Sequence, residues 1–364
     1  MANATVLAIG GTGFVGRHTV AELRDHGYDV TTLTRGTHGF QFPDQLDVDH
    51  IAGDRTDDET LVDAARQVEP DIVVDCAAYY PADVRMATEI FADVDAYIYV
   101  SSGGVYSRQE IPKREDETPL HECTPEQATD DSMNTYGPRK AECDRLTRAA
   151  ADDGVTAMSV RPSVVYGPQT IPDDDDSRTA SETTLTDDIP ATWADEDWAG
   201  LQTHHDYWID RVNRYDRVIV PGDGTAIWHR AYVEDIASAI RVVAERGESG
   251  EAYNAADRRV CTLEDVIGLI ADALDTSVEV VHASRRELAQ TGLTPNDFVL
   301  YHHPQTEYPH VLDTCKLPSL GWESTPPDVA MERTVTESIA SDRDGSAHDP
   351  GRDAEERLLE TLAG

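Results

Sequence analysis

Residues 5–17 read Thr5-Val6-Leu7-Ala8-Ile9-Gly10-Gly11-Thr12-Gly13-Phe14-Val15-Gly16-Arg17. Five strand-forming residues run into a glycine-rich turn, and a helical pattern over Phe14–His26 follows. Gly10, Gly13 and Gly16 form a G-x-x-G-x-x-G spacing. A turn of this kind lets backbone approach a pyrophosphate, and Phe14 and Val15 then offer N–H groups at a helix N-terminus. The last glycine lets the helix pack closely on the sheet. A glycine motif alone is weak, but here it lies where strand becomes helix, so the stretch predicts a nucleotide site.

Working outward, short apolar runs alternate with helical patterns. Strands are expected at Thr5–Ile9, Asp29–Leu33, Val48–Ile51, Asp71–Cys76, Ala96–Ser101 and Val155–Val160. Helices are expected at Phe14–His26, Asp57–Val68, Val84–Phe91 and Tyr136–Asp152. This alternation gives an α/β parallel sheet with right-handed crossovers. Beyond Gly167 the texture changes. Ile171–Gly200 is rich in Asp, Ser and Thr and reads as a solvated insertion, not a metal site, because the run Asp173–Asp176 lacks ligand spacing. Helices resume at Tyr207–Asp216, Val233–Glu245 and Thr262–Leu274, the last capped by Thr262. A polar linker, Ser341–Arg352, leads to a short amphipathic helix near Ala354–Leu362.

The 364 residues carry 70 acidic and 30 basic side chains, a net charge of −40. Hydrophobic residues make up 39%, below the usual level of about 45–50%. Recurrent apolar runs nonetheless supply a core, which argues against a disordered acidic chain. Lys113, Lys140 and Lys316 are the only lysines. Carboxylate excess with so few lysines resembles proteins of salt-accumulating halophiles, since molar salt screens self-repulsion. The chain is therefore expected to loosen at low salt, which a melting curve in graded potassium chloride checks. The charge argues against nucleic-acid binding. No run approaches the length of a membrane span. The start MANATVLAIG lacks a basic leader, and five scattered cysteines suit a reducing cytoplasm. No metal site is expected. His204-His205-Asp206 reads as surface or pocket lining, because adjacent helical histidines diverge.

Three further positions carry chemistry. The second strand ends Leu33-Thr34-Arg35-Gly36 with no acid, so Arg35 favours a 2′-phosphate and NADP over NAD. Asp54, past the third strand, either meets the adenine edge or caps the next helix. Tyr136-Gly137-Pro138-Arg139-Lys140 is a Y-x-x-x-K, whose ends share a helix face. An ammonium beside a phenol lowers its pKa, and such a tyrosine exchanges a proton with a hydroxyl while a nicotinamide handles hydride. Upstream, Tyr99-Val100-Ser101-Ser102-Gly103-Gly104 ends a buried strand at a ligand crevice, so Ser102 can bond the same oxygen as Tyr136.

Taken together these residues resemble the extended short-chain dehydrogenase/reductase superfamily, in its NAD-dependent epimerase/dehydratase branch. The match runs in order through GGTGFVG, GDRTD, DIVVDCAA, YVSSGGVYS, YGPRK, RPSVVYGP, PGDGTAIWHRAYVEDIASAI and GEAYNAADRRVCTLEDVI. The resemblance implies a Rossmann-type doubly wound parallel sheet with a smaller C-terminal substrate-binding domain. Residues 1–166 would bind NAD(P), and 167–340 mainly substrate, with segments returning to the first domain. Residues 341–364 would form a polar tail. It also implies a catalytic set of Ser102, Tyr136 and Lys140. Ala77 and Arg161 would join the cofactor site, with the loop after Arg161-Pro162 against the nicotinamide. Relatives often pair beside the Tyr136 helix, which makes a homodimer one implied arrangement.

This chain departs from the family at four places. The usual N-V-x-G-T helix after Tyr80 is missing, and Val164 replaces a common asparagine. Trp228 stands where nucleotide-sugar enzymes commonly place a diphosphate-gripping arginine, and Arg230 lies two residues on. Gly103-Gly104 takes the place of a dehydratase acid pair, which argues against dehydration. The expected activity is an NAD(P)-dependent epimerase or oxidoreductase on a small hydroxyl or carbonyl compound such as a sugar or nucleotide-sugar. The alternative is a non-catalytic NAD(P)-binding or RNA-binding Rossmann protein.

Overall fold

The computed structural model describes residues 4–36, 42–171, 204–298, 310–343, 345 and 352–362. The acidic stretch from 172 lies outside them, as do the side chains of His204 and Trp228.

In chain order the first elements are β1 (Thr5–Ile9), α1 (Phe14–Asp25), β2 (Asp29–Thr34), β3 (Asp49–Ala52), α2 (Asp58–Val68) and β4 (Ile72–Asp75). Then come α3 (Pro81–Ile90), β5 (Ala96–Val100), α4 (Tyr136–Asp152), β6 (Ala157–Pro162) and β7 (Val164–Tyr166). The second half contains α5 (His204–Arg214), β8 (Arg217–Pro221), β9 (Ile227–Trp228), β10 (Arg230–Tyr232), α6 (Val233–Arg246) and β11 (Ala252–Ala255). It continues with β12 (Cys261–Thr262), α7 (Leu263–Ala273), β13 (Glu279–Ala283), α8 (Arg285–Gln290), α9 (Lys316–Ser319), α10 (Pro327–Ala340) and α11 (Arg352–Leu362).

A seven-stranded sheet has the order β11-β6-β5-β4-β1-β2-β3, and every pairing is parallel. Strand periodicity explains its two buried faces. Val6, Ala8, Ile72, Val74, Ile98 and Val100 pack toward Val20 and Leu23 of α1 and Ile236 and Ile240 of α6. Leu7, Ile9, Val73, Tyr97 and Tyr99 pack toward Leu61 of α2, Val84 of α3 and Cys143 of α4. This is the Rossmann arrangement, and its order reverses between β1 and β4, where ligands bind in such sheets.

A second core gathers Tyr207, Trp208, Ile219, Ile267, Met331 and Leu358. It rests on the parallel pair β8–β13 and on helices α5, α7, α10 and α11. Thr262 caps α7, accepting from the Asp265 N–H at 3.0 Å while Asp265 accepts from the Thr262 N–H at 2.8 Å. The C-terminal helix packs onto this core through Leu358 and Leu359. Glu355, buried, pairs there with Arg211 and accepts from the Ile219 N–H at 2.9 Å. Helix α3 begins at Pro81, three residues before the expected Val84, because proline suits the first helical position and Asp83 accepts from the Tyr80 N–H at 2.9 Å.

Candidate active site

The glycine-rich turn is built for close approach. Gly10 has φ +77°, and a Cβ there would come within 2.8 Å of the Ala77 Cβ. A Cβ on Gly16 would stand 2.2 Å from the Gly10 carbonyl oxygen, so only glycine lets α1 seat against the turn. Helix α1 starts with no side-chain cap and no acid in its first turn. Its N-terminal N–H groups therefore face the crevice with a partial positive charge. The hydroxyl of Thr12 is buried without a hydrogen-bond partner. A glycine cradle, an uncapped helix start and an orphaned hydroxyl fit the pyrophosphate of a dinucleotide.

Arg35 lies exposed just past β2. Asp54 accepts from the N–H and hydroxyl of Thr56, at 2.9 and 2.8 Å, and those bonds together with the Arg35 charge hold its carboxyl low. The helix cap belongs to Asp57, which accepts from the Glu59 N–H. Asp54 is exposed in the turn before α2, with both bonds on one carboxylate oxygen.

Ser102, Tyr136 and Lys140 come together at the carboxyl ends of β4 and β5. Tyr136 is the first residue of α4, with Pro138 in the tolerated first turn. The Tyr136 and Ser102 side chains share a hydrogen bond, and Ser102 Oγ also accepts from the Gly104 N–H at 3.0 Å. Lys140 is buried, and its ammonium donates to the carbonyls of Val100 at 2.8 Å and Ala78 at 3.1 Å. It lies 4.5 Å from the centre of the Tyr99 ring. Burial lowers the Lys140 pKa and raises that of Tyr136. The bond to Ser102 and the charge of Arg139 pull the phenol back down. The two carbonyls hold the Lys140 ammonium at the strand ends.

Other expected residues take different places. The Arg161 guanidinium, buried behind β6, donates to Asp144 at 2.8 Å and to the Tyr106 hydroxyl at 3.0 Å. Its side chain is held by the interior, while the carbonyl of the next residue, Pro162, lies against Gly103. Arg230 is buried, 2.7 Å from His205 and over the Tyr166 ring. Asp257, beside it, accepts from the Tyr166 hydroxyl and the Tyr232 N–H, and burial pushes its pKa up to about 6. Asp206 accepts from the Ser338 hydroxyl at 2.7 Å and from Arg343 at 3.0 Å. Among the described residues no group of three or more His, Cys, Asp or Glu is placed to hold a metal ion. No described helix is long and apolar enough to cross a membrane.

Sequence reading missed two features here. His310 fills the space that a side chain at Gly103 would need, its Nε2 2.8 Å from that Cβ position. A buried Arg55–Asp75–Asp83 cluster underlies the segment between β4 and α3. Its one signal was an acid, Asp75, closing an otherwise apolar strand.

Comparison with known proteins agrees with this arrangement. The chloroplast stem-loop binding protein of 41 kDa b from Arabidopsis thaliana is 26% identical over 295 residues, covering 78% of this chain and 66% of that protein. A low-salt glycan biosynthesis protein of Haloferax volcanii is 23% identical over 344 residues, covering 87% of this chain and 93% of that protein. The NAD complex of UDP-glucose 4-epimerase from Thermus thermophilus shares the fold, with a TM-score of 0.62 and 22% identity over 92% of this chain and 98% of the other. Residues 6–185 match the family model described as the NAD dependent epimerase/dehydratase family. The glycine cradle, the sheet order and this match agree, and the chain belongs to the NAD dependent epimerase/dehydratase family.

Proposed function

We propose that this protein is an NAD(P)-dependent epimerase or oxidoreductase acting at a hydroxyl or carbonyl carbon of a small molecule, a sugar or nucleotide-sugar. The observation that carries the reading is the hydrogen-bonded Ser102–Tyr136 pair with a buried Lys140 bonded to Ala78, the neighbour of the residue packed on the glycine-rich turn. When bound, the nicotinamide supplies the hydride acceptor and donor.

Tyr136 takes the proton of the substrate hydroxyl at its phenolic oxygen and returns it to the product. Ser102 orients the reacting oxygen by hydrogen bonding. The phenol is raised by burial, so the Ser102 bond and nearby positive charge must draw out its anion. Lys140, fixed by two carbonyls, holds charge at the strand ends and would hold the nicotinamide ribose. The turn Gly10–Gly16, with Ala77 packed on it, accepts the pyrophosphate. Arg35 gives a preference for NADP. Gly103 and Gly104 offer no acid for dehydration.

Residues 1–166 form the cofactor-binding unit in this reading, and 167–340 supply most of the substrate side. Five free cysteines and the acidic surface suit the reducing, salt-rich cytoplasm of a halophile.

Turnover of UDP-hexoses in molar potassium chloride, followed by proton NMR and by NAD(P)H absorbance, tests the activity. The reading predicts conversion that Tyr136→Phe abolishes, and no conversion with any hydroxyl sugar contradicts it. Similarity to a stem-loop binding protein favours a second reading, RNA binding. The charge of −40 opposes it. A stem-loop RNA retained by the protein without sugar turnover would reverse that order.

A further inference from the structure

Residues 76–80, between β4 and α3, touch both parts of the cofactor machinery. Ala77 packs against Gly10. The Ala78 carbonyl accepts from Lys140, and the Tyr79 carbonyl accepts from Arg139 at 3.4 Å. The Tyr79 ring lies 5.4 Å from the Lys140 ammonium, and the Tyr80 ring 4.8 Å from the Arg139 guanidinium.

This segment has little regular structure of its own, yet its backbone is anchored at both ends by carboxylates. Asp75 accepts from the Ala77 N–H at 3.1 Å. Asp83 accepts from the N–H groups of Tyr79 at 3.0 Å and Tyr80 at 2.9 Å. Both acids are buried, and Arg55, itself 8% exposed, bridges them. Its guanidinium pairs with Asp75 through one nitrogen and lies 3.2 Å from Asp83 through another. The Tyr97 hydroxyl adds a bond to Asp75 at 3.1 Å. The planar fork presents separate N–H groups to the two carboxylates, and a neutral amide in its place would leave both acids without a counter-charge. Without the fork, two buried acids would repel each other and release the segment they hold.

We propose that Arg55, Asp75 and Asp83 are positioning residues that clamp residues 76–80 and thereby set the Lys140 ammonium and the Gly10 turn in register. The proposal deepens the reading of Lys140 as cofactor-side machinery and rests on it. Asp83 comes from the first turn of α3, so the clamp joins the strand end to that helix.

The scarcity of lysine gives a direct test, because Lys113, Lys140 and Lys316 are the only acylation targets besides the N-terminus. Full-length wild type, Asp83→Asn and Arg55→Gln are pulsed with an amine-acylating reagent in molar potassium chloride, and labelling is read by peptide mass spectrometry. Lys113 is 2% exposed, as is Lys140, but belongs to a different segment, so it reports general loosening. In wild type, Lys140 should be protected relative to Lys316. Both variants should label Lys140 roughly tenfold faster or more through local opening, with Lys113 unchanged. NADPH affinity, read by fluorescence, should fall in parallel.

Unchanged protection of Lys140 in Asp83→Asn would overturn the proposal even if Arg55→Gln fails to fold. So would a matching rise at Lys113, or a wild-type Lys140 as reactive as Lys316. A Lys140→Met variant with full turnover and cofactor affinity would instead contradict the catalytic reading and leave the labelling result standing.

Discussion

The sheet half and the second core both bury arginines, but they place them differently. In the sheet half, buried charge gathers at the carboxyl ends of the strands. Arg55 with Asp75 and Asp83, and Lys140 with two carbonyls, stand at the strand ends, with Arg161 and Asp144 paired in the interior behind them. In the second core the pairs tie elements distant in sequence. Arg211 joins Glu355 of the terminal helix, and Arg343 joins Asp206. The first set fixes short loops at the strand ends. The second holds helices to a small core in a chain with a modest apolar content. A buried ion pair adds little net stability over an apolar packing, but removing one member is costly. The two halves should therefore respond differently to the same kind of substitution.

The largest expected contrast is chemical. Tyr136→Phe should lower turnover by about 1,000-fold, in the range of lost acid–base catalysis, while melting temperature and cofactor affinity stay near wild type. Steady-state kinetics beside a cofactor titration check this. A retained rate would mean that the crevice charges serve only the fold. Ser102→Ala should also move the ascending limb of the rate profile to higher pH, because it removes a bond that stabilises the Tyr136 anion, the form that takes the proton.

On the other side, Glu355→Ala should cost about 3–5 kcal/mol of stability, since it strips Arg211 and Arg352 of a buried carboxylate. Denaturant melts at fixed salt measure this. Cofactor affinity of the folded protein should be unchanged, and a large loss of affinity would erase the distinction between the halves.

Acid separates the halves by sign. His18, on α1, is 2.9 Å from the Pro168 carbonyl, and burial lowers its pKa to about 4. Between its ordinary value of 6.5 and about 4, the unfolded chain binds the extra proton, so this residue's contribution to stability is lost as pH falls. Asp257 is raised from 3.8 to about 6, so the native state binds the extra proton in that window and stability rises as pH falls. Each shift corresponds to about 3 kcal/mol over its full window. Stability between pH 7 and 4 should therefore fall less steeply in His18→Gln than in wild type, and more steeply in Asp257→Asn. Parallel curves for all three proteins would refute both assignments.

The smallest effect is a matched glycine pair. Gly268 lies within α7, and a Cβ there meets nothing within 4 Å. Gly268→Ala should stabilise by about 0.5–1 kcal/mol. Gly16→Ala should instead disrupt the cofactor turn, for want of room beside the Gly10 carbonyl.

Legibility in the sequence followed the same division. Strand β1 and helix α4 took the expected boundaries, and the glycine turn marks the end of β1 locally. Ser102, Tyr136 and Lys140, singled out by short spacings, lie together at the strand ends. The Arg55 clamp was not, since its three members are spread over residues 55–83 in a chain full of acids. Strands β8 and β13 are short, and their pairing reaches across β9, β10, α6, β11, β12 and α7. The Arg211–Glu355 pair crosses 144 positions, and no local pattern announces such a contact. Local chemistry was readable, and long-range stapling was not.

The central claim is that the crevice beside the glycine turn holds a nicotinamide dinucleotide. Fluorescence titration of wild type and Gly16→Ala with NADPH and NADH, in molar potassium chloride, tests it most directly. Saturable one-to-one binding, tighter for NADPH and lost in Gly16→Ala, is the predicted result. Wild-type protein that is folded and binds neither nucleotide would contradict the account.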